Sequence, residues 1–126
     1  MNAEKLMVDW LNTSPVLRPV SATLNLPATA SSTSPGRYLT VERTGGSETP
    51  FVSRPLFAVQ AWAESRWEAS ELANRTAERI RHVTDLDDVA DGDIRAITDF
   101  PDPDGRPRYQ VTCQLTIKTN YTESEP

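Results

Sequence analysis

Residues 37–73 decide the fold of this chain. They begin with RYLTVERTGG at positions 37–46 and continue, after a polar loop, with RPLFAVQAWA at positions 54–63. In the first stretch Leu39 and Val41 alternate with polar side chains, which predicts a strand over residues 37–43 with one buried face. Residues 56–63 contain one polar side chain, Gln60. Such a strand is typical of a sheet centre, and we expect both of its faces to be covered.

An amphipathic helix follows this second strand. Ser65 and Glu68 have the spacing of a capping box, in which the serine accepts from the glutamate amide and the glutamate reaches back. Apolar and small side chains then share one stripe at Ala69, Leu72, Ala73, Thr76, Ile80 and Val83. The pattern predicts a helix over residues 65–83, with Trp67 off the stripe and able to face the sheet edge or a neighbour.

Shorter periodic segments precede this region. An apolar face at Leu6, Met7, Trp10 and Leu11 predicts a helix over residues 3–12. Strict alternation predicts a strand over residues 20–26, and a stretch rich in Ser, Thr, Ala and Pro predicts an exposed loop over residues 27–36.

A hairpin completes the chain. Five acids in residues 85–93 predict an exposed turn, and strands are expected over residues 94–100 and 108–118, joined by a turn at 102–105. The resulting order of elements is α-β-β-β-α-β-β. It indicates the α+β class, with a twisted, mainly antiparallel sheet of about five strands and two helices packed on it.

Size and charge narrow the classes of function. We expect one domain over residues 1–119 and a disordered acidic tail over residues 120–126. With a net charge of −5 and no basic block, the 126-residue chain is a poor candidate for gripping nucleic acid. The single cysteine excludes an internal disulfide and favours a reducing compartment. No signal peptide is visible, and no apolar run approaches the ~20 residues that cross a bilayer, so no membrane contact is expected.

Residue types that carry catalysis or bind metal form no recognisable motif. With Asp87 as first ligand, an EF-hand loop would place Thr98 where glutamate is required, so solvated turns are the favoured interpretation of the acids. One histidine, His82, and one cysteine, Cys113, are too few for a zinc site. Mid-strand, Cys113 is expected to pack as a small hydrophobe, and His82 suits a helix C-terminus. We assign no catalytic, cofactor-binding or metal-binding residue; a small enzyme that uses Cys113 or an acid pair is the competing hypothesis.

Arginines gather at the predicted strand ends and beside the polar loop of residues 44–53. Eleven of the 13 basic residues are arginine, which is favoured over lysine where carboxylates are bound at protein interfaces. The paired glycines of the loop are not followed by Lys-Ser/Thr, so this is no phosphate-binding loop. We predict that a protein–protein contact includes Arg43, Gly45, Gly46, Glu48, Arg54, Arg106 and Arg108.

Several short motifs follow one another along the chain. They are VDWL at 8–11, RYLTVERTGG at 37–46, RP at 54–55, VQAWA at 59–63, EA at 68–69, LA at 72–73, FPD at 100–102 and PRYQV at 107–111. In this order they resemble the tail terminator (tail completion) proteins of bacteriophages with long, non-contractile tails. The likeness spans about residues 6–118.

The resemblance implies a structural virion protein and no catalysis or cofactor. Such a protein closes as a hexameric ring on the finished tail tube, ends tube polymerisation and offers a surface to the head connector. Its partners would be other copies of itself, the major tail tube protein and the head–tail connector, with DNA only as cargo through the lumen. It would lie in the virion tail, and in the host cytoplasm during assembly.

The predicted contact residues would then belong to the ring or tube contact. The polar loop is expected to be mobile until it meets a neighbouring subunit. Six chains would carry a net charge of about −30, which repels DNA rather than binding it. Two alternatives stay open: another head-to-tail joining or minor tail protein of the same phage module, and a small binding module unrelated to phages.

Overall fold

A computed structural model describes residues 2–25 and 36–119. Within them lie two α-helices, α1 (Ala3–Asn12) and α2 (Arg66–Arg81), a 3-10 helix (His82–Asp85) and five strands. The strands are β1 (Ser21–Thr23), β2 (Tyr38–Glu48), β3 (Val52–Trp62), β4 (Val89–Asp99) and β5 (Arg108–Lys118). The predicted loop over residues 27–35, the last residue of the predicted strand, Leu26, and the acidic tail over residues 120–126 lie outside the described residues.

The five described strands form one sheet in the order β1-β2-β3-β5-β4. β1 runs parallel to β2, and the other three pairings are antiparallel. β3 lies at the centre, as its apolar composition predicts, and β5 spans the predicted residues. The α+β class, with a mainly antiparallel five-stranded sheet and two helices, is confirmed.

Both described α-helices pack on one face of the sheet. Their buried side chains join one core cluster with alternate residues of the strands, among them Met7, Leu11, Leu72, Ile80, Phe57, Val59, Cys113 and Leu115. On the opposite face of β3 lie Leu56, Ala58 and Gln60, and neither described helix covers them. The expectation that β3 is covered on both faces is therefore wrong for the described part of the chain. An antiparallel sheet can leave one face to water, and small Ala58 is shielded by longer neighbours.

The helix starts follow from their caps. Asn2 accepts from the Lys5 amide at the start of α1, and Ser65 Oγ accepts from the Glu68 amide at 3.1 Å at the start of α2. The second half of the predicted capping box has a different partner. A Glu68 carboxylate oxygen lies 3.2 Å from the Arg37 guanidinium, which draws the side chain towards the start of β2.

Three strand boundaries differ from the sequence prediction because pairing extends beyond the apolar alternation. β2 continues to Glu48 and β3 begins at Val52, so most of the predicted loop over residues 44–53 is a paired hairpin. β4 begins at Val89, inside the predicted acidic turn, although all five acids of residues 85–93 are exposed as expected. A polar segment beside an apolar strand can continue a ladder through backbone hydrogen bonds alone.

Candidate functional site

The seven predicted contact residues lie in two groups at opposite ends of the sheet. Arg43, Gly45, Gly46, Glu48 and Arg54 belong to one hairpin, whereas Arg106 and Arg108 lie at the connection between β4 and β5. β3 is 11 residues long and joins the two ends, which separates them by about 35 Å. Within one chain the seven residues therefore form two surfaces, and their part in a protein–protein contact stays a prediction.

The first surface is the hairpin arm, which we define as residues 44–54. A β-bulge between Arg43 and Gly45 shifts the register where the arm begins, and Gly46 then pairs with Pro55. Gly46 has φ of +103°, and a Cβ there would lie 2.0 Å from the Arg54 carbonyl oxygen. This position needs glycine both for its backbone conformation and for the close approach of β3.

Side-chain contacts hold the hairpin arm in one conformation. The Arg43 guanidinium lies 2.6 Å from Glu48 Oε1 and donates to the Gly45 carbonyl at 3.1 Å. Ser53 Oγ donates to the same Glu48 oxygen at 2.6 Å. The Ser53 hydrogen bond, and after it the Arg43 partner, lower the pKa of Glu48. The prediction of an unpaired polar loop is thus wrong, because these residues form a paired hairpin, whereas its ordering against a neighbouring subunit stays a prediction.

The tip of the hairpin arm, residues 49–51, carries an exposed aromatic side chain. Thr49 closes the turn, because its amide donates to the Val52 carbonyl at 2.9 Å and its hydroxyl accepts from the Val52 amide at 3.0 Å. Phe51 is 69% exposed. Thr119 anchors the tip from the end of β5, because its amide donates to the Phe51 carbonyl at 2.9 Å and its hydroxyl to the Pro50 carbonyl at 3.0 Å. The tip therefore presents a phenyl ring on a fixed backbone.

The second surface, the aromatic end, consists of Trp62, Phe100, Arg106 and Arg108. The Arg108 guanidinium lies 4.9 Å from the Trp62 ring centroid and 4.6 Å from that of Phe100. It donates to the Phe100 carbonyl at 2.7 Å and pairs with no carboxylate within 4.0 Å among the described residues. Burial lowers the pKa of Arg108, whereas Arg106 has Asp102 at 2.6 Å as its counterion. Arg108 is thus the cation at this end that lacks an acidic partner in the described chain.

Two exposed aromatics lie towards this end of the sheet, one on each side of it. Trp67, in the first turn of α2, is 70% exposed, and Phe100, just after β4, is 45% exposed. The Arg66 guanidinium lies 3.1 Å from an Asp99 carboxylate oxygen, so it ties the start of α2 to the end of β4. Rigid aromatics with open faces are enriched among the anchors of protein interfaces.

The sheet face opposite the helices is polar, with uncharged side chains in its central row. Across the strands, Thr40, Gln60, Gln110 and Thr98 form one row, and Glu42, Ala58, Thr112 and Ala96 form the next. Trp62 donates its indole proton to Thr40 Oγ1 at 3.0 Å, and Gln60 and Gln110 lie within 3.3 Å of each other. In the central row the hydroxyl and amide groups hydrogen-bond to one another, so this row offers no charged group to a ligand.

The two residues considered for catalysis or metal binding, Cys113 and His82, lie in the core and at the end of a helix. Cys113 is fully buried, as predicted, and His82 is the C-cap residue of α2, with its side chain exposed 3.4 Å from Glu78. Among the described residues, no three His, Cys, Asp or Glu side chains converge in a way that could hold a metal ion. A cavity between α2 and residues 17–20 has a volume of about 170 Å³, below the ~300 Å³ at which small-molecule sites begin.

Cys113 is expected to resist alkylation in the folded protein. Burial, with a smaller effect of Asp93, raises the pKa of its thiol from 9.0 to about 12, which suppresses the reactive thiolate. At about pH 8, iodoacetamide should modify the urea-unfolded chain and leave the folded chain unmodified, as read by mass spectrometry. Labelling of the folded chain at the rate of an exposed thiol would contradict the structure.

The raised pKa of the Cys113 thiol also makes the stability of the fold depend on pH. Since the thiol is a weaker acid in the folded state, its contribution to stability is complete below pH 9 and is lost as the pH rises from 9 towards 12. Cys113→Ala should remove this component, which amounts to about 1.4 kcal/mol per pH unit in that window.

Sequence reasoning missed the most exposed aromatic of the arm. Phe51 follows Thr49-Pro50, inside the segment that was predicted as a polar loop. A proline followed by phenylalanine between two predicted strands could have indicated a hairpin tip with an exposed ring. Trp62 and Phe100 gave no signal of contact with arginine, because the partners are distant in sequence.

The chain matches no protein-family model and none of the curated proteins with which it was compared. Within residues 2–25 and 36–119, no helix has both the length and the apolar character of a membrane span.

Proposed function

We propose that the protein is a structural subunit of a bacteriophage tail, which closes as a ring on the completed tail tube, ends tube growth and offers a surface to the head connector. The single observation that supports this proposal most is the pair of exposed, rigid surfaces at opposite ends of one sheet. A subunit of a closed ring needs two different surfaces, because each copy contacts one neighbour on either side.

Four of the motifs that resemble tail terminators fall on these surfaces and on the strands that connect them. RYLTVERTGG at 37–46 forms β2 up to the hairpin arm, and VQAWA at 59–63 ends at Trp62. FPD at 100–102 and PRYQV at 107–111 flank the connection at the aromatic end. The resemblance and the two surfaces thus point to the same parts of the chain.

The charge of the chain suits a conduit for DNA rather than a DNA-binding protein. The polar sheet face holds amide and hydroxyl side chains in its central rows, where a phosphate-binding surface would carry several lysines or arginines. Exposed acids at residues 85–93 add to the net charge of −5. DNA is therefore proposed only as cargo, with the subunit's own copies, the tube protein and the connector as partners.

The proposal is tested in a phage whose copy of this gene is deleted. We expect electron microscopy to show overlong tails without heads, and the full-length gene supplied in trans to restore capped tails of normal length. A variant lacking residues 45–50 should not restore them, although it should fold, because the β3 residues of the core cluster begin at Phe57. Normal virions from the deleted phage would defeat the proposal.

Another head-to-tail joining protein would use the same kind of surfaces, and the tail phenotype separates the two. Loss of a terminator gives tubes of uncontrolled length, whereas loss of a joining protein above it gives tails of normal length without heads.

A further inference from the structure

We propose that an apolar groove beside α1 binds a short basic segment of another protein, in which an apolar side chain stands between lysines or arginines. The groove lies between α1 and the connection from α2 to β4, and its volume is about 300 Å³. We call it the Trp10 groove, and it is lined by Leu6, Asp9, Trp10, Thr13 and Leu86. The inference goes beyond the proposed function and does not depend on it.

The floor of the Trp10 groove is apolar. Leu6 and Leu86 pack against the core cluster and remain only partly buried, so each keeps some apolar surface open to water. The Trp10 ring lies in the same groove, with the Arg79 guanidinium 3.4 Å from its centroid. An apolar side chain inserted here would leave water, which favours binding.

Hydrogen bonds fix the backbone on both sides of the groove. The Leu86 amide donates to the Val83 carbonyl at 3.0 Å, and the Leu86 carbonyl accepts from the Val89 amide at 3.1 Å. On the other side, the Trp10 indole donates to the Arg79 carbonyl at 2.8 Å and so docks α1. A groove that is already formed loses little conformational entropy on binding.

Acidic side chains at the groove favour a basic occupant. Asp85 and Asp87 stand on either side of Leu86 in the chain, and both are exposed. Neither makes an ion pair among residues 2–25 and 36–119. Burial lowers the pKa of Arg79, and Asp85 opposes that shift, which places this carboxylate near the arginine that stacks on Trp10.

The cations beside the groove are already engaged. Lys5 Nζ lies 2.6 Å from an Asp9 carboxylate oxygen, and the Arg79 guanidinium donates to the Trp10 carbonyl and to Thr13 Oγ1. Asp85 and Asp87 are therefore the groove charges that an incoming lysine or arginine can pair with. Pairs of this kind attract a partner of opposite charge and are weakened by salt.

Charge also indicates that the occupant is a separate protein. Residues 26–35 contain no charged side chain, and residues 120–126 contain two glutamates and no lysine or arginine. Neither segment has the basic residues that the groove favours. A volume of about 300 Å³ accommodates one or two side chains of a partner, at the lower limit of small-molecule sites.

Titration with labelled peptides tests the groove. The probe is a peptide of about 12 residues in which leucine and phenylalanine stand between lysines, and its counterpart has glutamate in place of every lysine. The lysine peptide should bind saturably with a Kd of about 10–100 µM at low salt, and at least ~5-fold more weakly at about 0.5 M NaCl. Replacing its leucine and phenylalanine by serine should weaken binding at least ~10-fold, and the glutamate peptide should not bind.

NMR spectroscopy locates the bound peptide. The chain has three tryptophans, and each gives one indole N–H resonance that a Trp→Phe variant assigns. The lysine peptide should shift the Trp10 resonance and leave those of Trp62 and Trp67 unchanged, because neither of these lines the groove.

Paired variants separate the groove from the negative charge of the whole chain. Asp85→Asn with Asp87→Asn should weaken binding of the lysine peptide at least ~5-fold. Glu42→Gln with Glu64→Gln makes the same change of charge at two exposed acids that do not line the groove, and Kd should stay within ~2-fold of the parent value. Both pairs should keep the parent midpoint in urea, since all four side chains are exposed.

Four results would overturn the proposal: no saturable binding up to about 1 mM lysine peptide, equal binding of the glutamate peptide, equal weakening by the two pairs of variants, or a shift confined to Trp62 or Trp67. These results are independent of the phage experiment. Binding at Trp10 together with normal virions from the deleted phage would support the groove and reject the tail function. Uncapped tails without peptide binding would support the tail function and reject the groove.

Discussion

Gly46→Ala is expected to destabilise the protein by at least about 2 kcal/mol, whereas Gly45→Ala should be neutral or slightly stabilising. A Cβ at Gly46 would lie 2.0 Å from the Arg54 carbonyl oxygen and 2.8 Å from the Pro55 Cα, on a backbone with φ of +103°. Neither atom belongs to a flexible side chain, so relief requires the two strands of the hairpin arm to separate. At Gly45 no heavy atom lies within 4 Å of the added Cβ and φ is not positive.

Urea unfolding of the two variants beside the parent chain measures the difference. The slope of unfolding free energy against urea should be shared, so that the shift in midpoint reports stability. Equal midpoints for the two alanine variants would show that the arm does not pack as described.

The sequence was sufficient to locate those helices and strands in which buried and exposed residues alternate with a regular period. Alternation over residues 108–118 located β5 to the residue, and the apolar stripe with Ser65 located α2 within two residues of its ends. The sheet centre followed from the apolar run that contains Phe57 and Val59. These elements are specified by the contrast between apolar and polar side chains, which is visible without knowing any partner.

The arm and the polar sheet face were not predictable in the same way. Residues 44–48 are all exposed and pair through backbone hydrogen bonds, which the types of their side chains do not encode. The run of apolar residues in β3 suggested cover on both faces, yet Gln60 belongs to a row of hydroxyl and amide groups. Small side chains such as Ala58 are compatible with either environment.

For the candidate site, the sequence indicated which residues to consider but not how they are arranged. The arginines that were predicted as contact residues lie towards both ends of the sheet, Arg43 and Arg54 towards one end and Arg106 and Arg108 at the other. That they lie at opposite ends follows only from the strand order, because β3 and β5 run antiparallel and place Arg54 and Arg108 far apart. The types of neighbouring residues can be read from the sequence, whereas the distance between the two surfaces depends on the order of the strands in the sheet.

Trp10→Ala is expected to cost about 3–5 kcal/mol, the largest effect of any single change considered, whereas Trp67→Ala should change stability by less than ~0.5 kcal/mol. The Trp10 indole donates to the Arg79 carbonyl at 2.8 Å, and the Arg79 guanidinium lies 3.4 Å from the ring centroid. That guanidinium donates in return to the Trp10 carbonyl at 3.1 and 3.0 Å. One side chain therefore caps the last turn of α2 and docks α1 onto it, since a helix leaves its final carbonyls unpaired.

Comparing the two tryptophan variants separates core packing from an exposed side chain of the same type. Trp10→Ala removes core packing and a cap together, so its midpoint in urea should fall. Trp67 is 70% exposed, so Trp67→Ala should keep the parent midpoint. Trp10→Phe keeps most of the ring and loses the indole donor, and it should cost about 1 kcal/mol. If Trp67→Ala lowered the midpoint as much as Trp10→Ala, then Trp67 would serve the core, against the exposure that the structure gives it.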